Sequence, residues 1–291
     1  MSQANGSGNN PGKQLRGGEF YSPVQARVHS NDVVLSELRQ PHARAVPRHE
    51  HELAYVTLVL QGDYLEGDRG PLDELQPFTA VFNPAGVAHN TVIGPAGAAF
   101  FTIEFREETL RQLGIRLPGR TTFDRGAGTM LWPGLRLYSE FKAQTQAPGE
   151  NTREDCALES NVLEMLGAVS GFFWPEKSNP AWFRRVKERL HDGFRNPVRM
   201  RDLAYEAGVH PVHLARVFRA LERQTPGEYQ RHLQVRAACD LLRRSDWPLV
   251  AIAAECGFSD QSHFSRIFRR VAGTTPAKFR RTMAPEAGPT S

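Results

Sequence analysis

Leu203-Ala204-Tyr205-Glu206-Ala207-Gly208, followed by Leu214-Ala215-Arg216-Val217-Phe218-Arg219, returns later as Ile252-Ala253-Ala254-Glu255-Cys256-Gly257 and Phe264-Ser265-Arg266-Ile267-Phe268-Arg269. The offset is 49 residues up to the glycine and 50 beyond it, so the second turn is one residue longer. Thr225-Pro226 with Tyr229 likewise returns as Thr275-Pro276 with Phe279. Repetition in this detail marks one supersecondary unit used twice. Its grammar is a short helix, a glycine turn and a second helix ending in Phe and Arg, which is a helix-turn-helix pattern.

In the first unit Met200, Leu203, Ala204 and Ala207 form a short apolar stripe at helical spacing. Gly208 supplies the left-handed backbone that ends a helix without a Cβ penalty. His210-Pro211 opens the next helix, with Leu214, Val217, Phe218 and Leu221 expected on its inner face. Val212, His213, Ala215, Arg216 and Arg219 are left outside. In the second unit Pro248 opens the first helix and Ile252, Ala253 and Cys256 line it. Ser259 is the expected cap of a second helix packed through Phe264, Ile267, Phe268 and Val271. Gln261, Ser262, Ser265, Arg266, Arg269 and Arg270 face outward, residue types suited to base edges and phosphates.

Thr225-Pro226-Gly227-Glu228 reads as a capping box that starts a helix running to about Arg244. A helix of roughly 20 residues spans about 30 Å, and successive major-groove faces on one side of B-DNA lie about 34 Å apart. Charge points the same way. Residues 181–283 hold 20 Lys/Arg against 10 Asp/Glu, and the rest of the chain holds 16 against 22. A basic module is joined to an acidic one, an asymmetry that the whole-chain charge of +4 conceals. A basic face supplies the sequence-independent part of DNA affinity.

From about Trp182 to Arg281 the chain resembles the DNA-binding domain of AraC/XylS-type bacterial transcription regulators. The resemblance is carried by the paired units, the connector ending at Leu241-Leu242, and the stretch from Ile252 through Cys256-Gly257-Phe258-Ser259-Asp260-Gln261 to Arg269-Arg270, Gly273, Thr275-Pro276 and Phe279. It implies that Val212, His213, Ala215 and Arg216 face one groove segment, and that Gln261, Ser262, Ser265 and Arg266 face the next. Arg219 and Arg269 are expected at phosphate or solvent. Arg223 departs from the pattern, since the second unit has Gly273 there.

Residues 1–18 are rich in Gly, Ser, Asn and Gln with no apolar run, and read as a disordered tail. Residues 284–291 read as a second one. No stretch has the length or apolarity of a signal peptide or a membrane span. Three cysteines, Cys156, Cys239 and Cys256, are scattered with no CxxC, as expected of free thiols in a reducing cytosol.

Residues 19–105 carry short strands with turn punctuation, including the alternation Val56, Leu58, Leu60 and the run Phe100–Phe105. An all-β sandwich or small barrel is expected, with Phe82, Val92, Phe101 and Ile103 packing it. His49-Glu50-His51 and Pro84-Ala85-Gly86-Val87-Ala88-His89 resemble the two cupin motifs. No Glu follows at the usual position, because residues 54–57 are Ala-Tyr-Val-Thr. His49 and His51 share one face of a strand and His89 can approach from a neighbour. Three imidazoles can hold zinc or iron. With no carboxylate ligand evident, the favoured reading is a vestigial motif lining an effector pocket.

After Glu107 the period becomes helical, through Leu110, Leu113 and Ile115, then Leu135, Leu137, Tyr138 and Phe141, then a long apolar stretch from Arg153 to Phe173. Residues 106–174 thus form a helical extension. Its last helix needs a partner surface, either its own barrel or a second protomer; the regulator resemblance implies dimerisation, through Leu163 and Leu166. Pro175–Pro180 reads as a linker to the module at 181–283.

The expected architecture is α+β and multidomain: an N-terminal cupin-like β-barrel with a helical extension, then an all-α domain of two helix-turn-helix units joined by a long helix. The expected protein is a cytoplasmic, ligand-responsive transcription regulator and an activator, not an enzyme. Its partners would be double-stranded DNA, an unidentified small-molecule effector, a second copy of itself and RNA polymerase, with no membrane and no cofactor. The alternative is a metal-dependent cupin enzyme, or a metal-sensing regulator, using His49, His51 and His89.

Overall fold

The computed structural model describes residues 13–30, 32–67, 71–124, 128–146, 154–171, 180–196 and 198–283. The chain divides into two compact units, residues 1–123 and 124–291. Among the described residues no helix is long and apolar enough to cross a membrane.

The first unit is built on strands β1 (Lys13–Leu15), β2 (Val24–His29), β3 (Val33–Gln40), β4 (Arg44–His51), β5 (Tyr55–Gly67), β6 (Asp73–Leu75), β7 (Ala80–Asn83), β8 (His89–Phe105) and β9 (Thr122–Asp124), with helix α1 (Glu107–Gln112) between β8 and β9. They belong to one curled sheet whose main order is β1-β4-β8-β5-β7-β9, with β2 on β3, β3 on β8 and β6 on β5. The 17-residue β8 is the seam. On one side it pairs with β5 from Asn90 to Glu104. On the other, its start pairs with β4 and its end, Ala98–Phe105, with β3. Two strands sharing one edge at different heights, together with bulges in β5, curl the sheet over its own core.

That core buries both faces of β5. The alternation of Val56, Leu58 and Leu60 implied one wet face, yet Thr57 and Val59 are buried as well. Phe82, Phe101 and Ile103 are buried as expected, whereas Val92 is only half-buried. The expectation of a disordered tail to residue 18 is overturned at its end: Lys13–Leu15 pairs in parallel with His49–His51. A three-residue strand has no sequence signature of its own; a free edge on β4 supplies its hydrogen bonds.

The second unit is helical: α2 (Leu131–Gln146), α3 (Glu154–Gly171), α4 (Ala181–Asp192), α5 (Met200–Ala207), α6 (Pro211–Glu222), α7 (Pro226–Arg244), α8 (Leu249–Glu255), α9 (Gln261–Ala272) and α10 (Pro276–Met283). Helix α4 adds Phe183, Val186 and Leu190 to the core of the first helix-turn-helix, where Phe218 is sandwiched between Phe183 and Tyr229 at ring distances of 5.3 and 5.4 Å. In the second, Phe258, Phe264, Phe268 and Phe279 form a chain of rings 5.2–5.6 Å apart. The capping box of α7 is formed, Thr225 Oγ1 accepting from the Glu228 amide while the Glu228 carboxylate accepts from the Thr225 amide.

The helical extension is divided differently from the sequence reading. Its first part, residues 106–123, belongs with the sheet, while α2 and α3 belong with the DNA-binding helices. Helix α3 has an intrachain mate in α2, and Leu158, Val162, Met165, Leu166 and Val169 are buried. Leu166, at 0 % exposure, is core and not a free surface; Leu163 on the opposite side is 53 % exposed. Helix α2 also packs on α9 and α10. Arg136 joins the three elements: it pairs with Glu164 of α3, and its Nη1 donates to the Val271 carbonyl at the end of α9 (3.0 Å). The expected linker at residues 175–180 lies outside the described residues except for Pro180, as do the tail at 284–291 and the side chain of Cys156.

Candidate nucleic-acid interface and histidine pocket

Helix α6 starts at His210, whose ring Nδ1 accepts from the Val212 amide (3.3 Å), with Pro211 as the first helical residue. Leu214 and Phe218 are buried, Val217 is half-buried and Leu221 lies at the surface, so the inner stripe is narrower than the four-residue spacing implied. Val212, His213, Arg216 and Arg219 are exposed and Ala215 is half-exposed. The helix ends on Arg223 at φ +58°, the left-handed position that Gly273 holds (φ +72°) after α9. A non-glycine residue therefore adopts the geometry of the repeat, which the Gly-to-Arg difference had left open.

Helix α9 is capped by Asp260, not Ser259. The Asp260 carboxylate accepts from the His263 amide (2.7 Å), and Ser259 Oγ donates to that carboxylate (2.9 Å). These hydrogen bonds hold the Asp260 carboxyl below its ordinary pKa. An ionised carboxylate also suits the positive end of the helix dipole. Gln261, Ser262, Arg266, Arg269 and Arg270 are exposed and Ser265 half-exposed.

Several other cations of this unit are paired: Lys187 with Glu222, Arg189 with Glu206, Arg195 with Glu255, Arg243 and Arg244 with Asp240. Arg216, Arg266, Arg269 and Arg270 have no carboxylate partner among the described residues; Arg216 approaches only the His213 ring (3.3 Å). These exposed arginines put positive charge on the outward faces of α6 and α9. The 19-residue α7 between them spans about 28 Å. Its buried glutamines fasten both units: Gln230 Nε2 donates to the Phe194 carbonyl (3.0 Å), and Gln234 Nε2 to the Gly257 carbonyl (3.3 Å).

In the first unit His49, His51 and His89 meet. His49 and His51 lie two apart on β4, and His49 pairs with His89 at the start of β8. All three are buried, and each offers a ring nitrogen within 4.8 Å of the others'. They line a pocket with Phe20, Tyr21, Tyr55 and Thr102. Burial, then the neighbouring His89, lowers the pKa of His49 to about 4 and of His51 to about 2. His49 and His51 are therefore neutral at physiological pH.

The carboxylate absent from the expected position comes from farther along the chain. Tyr55 stands four residues after His51, and its hydroxyl lies 3.1 Å from His89 Nε2. Glu66, at the far end of β5, is fully buried with Oε1 3.6 Å from the same nitrogen. Tyr64 Oη and Asn83 Nδ2 donate to its two oxygens, each at 2.8 Å. Glu66 has no motif around it; only the pairing of Glu66 with Thr91 brings it to the histidines. Glu104 is a second buried acid that sequence reading passed over, inside the apolar run of β8.

A helix-turn-helix family model matches residues 203–282. The regulatory protein SoxS of Escherichia coli (strain K12) is 34% identical over 84 residues, covering 29% of this chain and 78% of SoxS. The chain belongs to the AraC family of transcriptional regulators. Over a longer span, the transcriptional activator RhaS of Klebsiella pneumoniae is 25% identical across 286 residues, covering 87% of this chain and 96% of RhaS. Among solved structures, ToxT from Vibrio cholerae covers 87% of this chain and 99% of its own at 10% identity, with a TM-score of 0.37. As a member of the AraC family, the chain is a DNA-binding transcription regulator with a curled-sheet unit ahead of a helical DNA-binding unit. On that frame the outward faces of α6 and α9 carry all ten of the residues that the sequence assigned to DNA.

Proposed function

We propose that this AraC-family regulator reads two successive major-groove segments, one with α6 and one with α9, under control of an effector bound in a cupin-like N-terminal unit. The carrying observation is the pair of recognition helices whose arginines have no carboxylate partner among the described residues, joined by a connector of about 28 Å. That length approaches the roughly 34 Å separating groove faces. Arg216, Arg266 and the polar residues Gln261, Ser262 and Ser265 are assigned to the groove, with Val212, His213 and Ala215 completing the α6 face. Arg219 and Arg269 are assigned to phosphates. The output is activation, with RNA polymerase as partner, in the cytoplasm and without an enzymatic step.

Arg216→Ala and Arg266→Ala are each expected to weaken operator binding by about 1–3 kcal/mol and to relax base preference at positions about 10 bp apart. Arg269→Ala should weaken all sequences alike and reduce the salt dependence. Fluorescence anisotropy on operator and scrambled duplexes reads all three. Protection of a single groove segment, indifferent to Arg266→Ala, would refute two-headed reading.

The working form is a homodimer, so that two protomers present four recognition helices to paired sites. Exposed Leu163, not buried Leu166, is the position on α3 to test. Leu163→Asp should leave the fold intact, shift the protein to monomer in sedimentation velocity, and lower affinity for paired sites more than for single sites. An unchanged dimer would remove α3 from the interface.

A further inference from the structure

We propose that His49, His51 and His89 hold one divalent first-row transition-metal ion of the zinc class. This claim is independent of the DNA reading. His49 Nδ1 lies 2.8 Å from the Pro47 carbonyl oxygen and His89 Nδ1 lies 3.4 Å from that of Val87. A carbonyl only accepts, so Nδ1 carries a proton in both rings; neutral His49 keeps its lone pair on Nε2, and His89 Nε2 meets the Tyr55 hydroxyl at 3.1 Å, which a bound metal would displace. The same i to i−2 arrangement occurs twice, on two different strands. Fixing a ligand imidazole through its far nitrogen is how metal sites orient histidine.

His51 supplies the second observation. Its ring is buried, and its Nδ1 has no hydrogen-bond partner among the described residues. A buried ring nitrogen left unmet is costly in an effector pocket, and useful in a metal site. The three donor atoms lie within 4.8 Å of one another, against about 3.4 Å for two nitrogens on one tetrahedral zinc. Small imidazole rotations close that gap, because the rings already cluster with centroids 4.3–5.6 Å apart.

Three imidazole ligands favour zinc, iron or copper-type ions over magnesium or calcium, which prefer oxygen. Three protein nitrogens also leave a coordination position open. Glu66, 3.6 Å from His89 Nε2 and held by Tyr64 and Asn83, is placed to close or to guard that position. The pocket lined by Phe20, Tyr21 and Phe100 opens beside it, so a small oxygen-donor effector would reach the metal and the apolar wall together.

The test uses the untagged full-length protein, stripped with chelator and titrated with Zn2+ by calorimetry and with Co2+ by absorption spectroscopy. One equivalent of either ion is expected. Cobalt should give visible ligand-field bands without thiolate charge transfer, which separates the histidines from Cys156, Cys239 and Cys256 in wild-type protein, whatever the variants do. His49→Ala, His51→Ala and His89→Ala should each weaken Zn2+ by 100-fold or more, and Glu66→Gln by about 10–100-fold. Zinc should raise the melting temperature of the wild type and not that of the variants. Absence of saturable one-equivalent binding overturns the proposal. So does a thiolate band, or zinc binding that survives removal of all three histidines.

Discussion

Gly257→Ala is expected to destabilise the C-terminal unit by about 2–5 kcal/mol, whereas Gly208→Ala, its equivalent in the first repeat, should cost only about 1 kcal/mol. Both glycines sit at positive φ, +80° and +67°. Backbone conformation alone therefore penalises both substitutions similarly. Their surroundings differ. A Cβ on Gly208 would meet nothing within 4 Å, but a Cβ on Gly257 would land on the carbonyl of Arg195. That segment is fixed: Arg195 Nε donates to the Glu255 carbonyl (3.1 Å) and its guanidinium pairs with the Glu255 carboxylate (3.2 Å). From behind, Gln230 Nε2 donates to the carbonyls of Phe194 and Asn196. The backbone cannot retreat without breaking these contacts. All four tryptophans, Trp132, Trp174, Trp182 and Trp247, lie in residues 124–291. Urea unfolding followed by tryptophan fluorescence therefore reports this unit. Equal losses for the two variants would mean that the residue 195 segment does not rest on the second turn in solution.

Glu104→Gln should gain roughly 3 kcal/mol of stability over the wild type between pH 5 and pH 8. Burial raises the Glu104 carboxyl from an ordinary value of 4.5 to about 7, against the opposing pull of the Gly18 amide, Arg27 and Arg106. The folded state thus holds a proton at Glu104 that the unfolded chain has released above pH 4.5. Its stabilising contribution is complete below pH 4.5, declines as pH rises and is gone above about 7. Glutamine has no such titration, so the variant-minus-wild-type difference isolates this one group from the histidines. The Gly18 amide, which donates to both Glu104 oxygens at 2.8 and 3.0 Å, provides a local reporter. Its protection factor, after allowance for the intrinsic pH dependence of amide exchange, should change with pH in the wild type more than in the variant. A flat difference across this range would place the Glu104 pKa near its ordinary value.

The two repeats were legible in the sequence because their determinants are local. A cap, a left-handed glycine and an i, i+3, i+4 stripe all act within one or two turns of helix. Thr225 and Glu228 form their capping box three residues apart, and Phe218 and Phe268 fall inside as their spacing requires. The same locality exposes Arg216, Gln261 and Arg266, since a helix face is decided by its own period. Where two local solutions compete, sequence is ambiguous: Ser259 and Asp260 can each cap α9, and the backbone of the turn selects Asp260.

What depends on strand register or on packing between distant helices was settled only by the tertiary structure. His49 and His51 share a face because side chains alternate, but Glu66 joins them only through the pairing of β5 with β8. A register shift of one residue would turn Glu66 to the other side of the sheet, and nothing near Glu66 in the sequence records which register is chosen. Apolar residues in α3 announced a buried face without saying against what; α2 covers Leu166 and leaves Leu163 outside. Arg136 and Val271 stand 135 residues apart and still share a hydrogen bond. Gly208 and Gly257 read alike in the chain, and only the carbonyl of Arg195 makes them different, because excluded volume acts between neighbours in space whatever their distance in sequence.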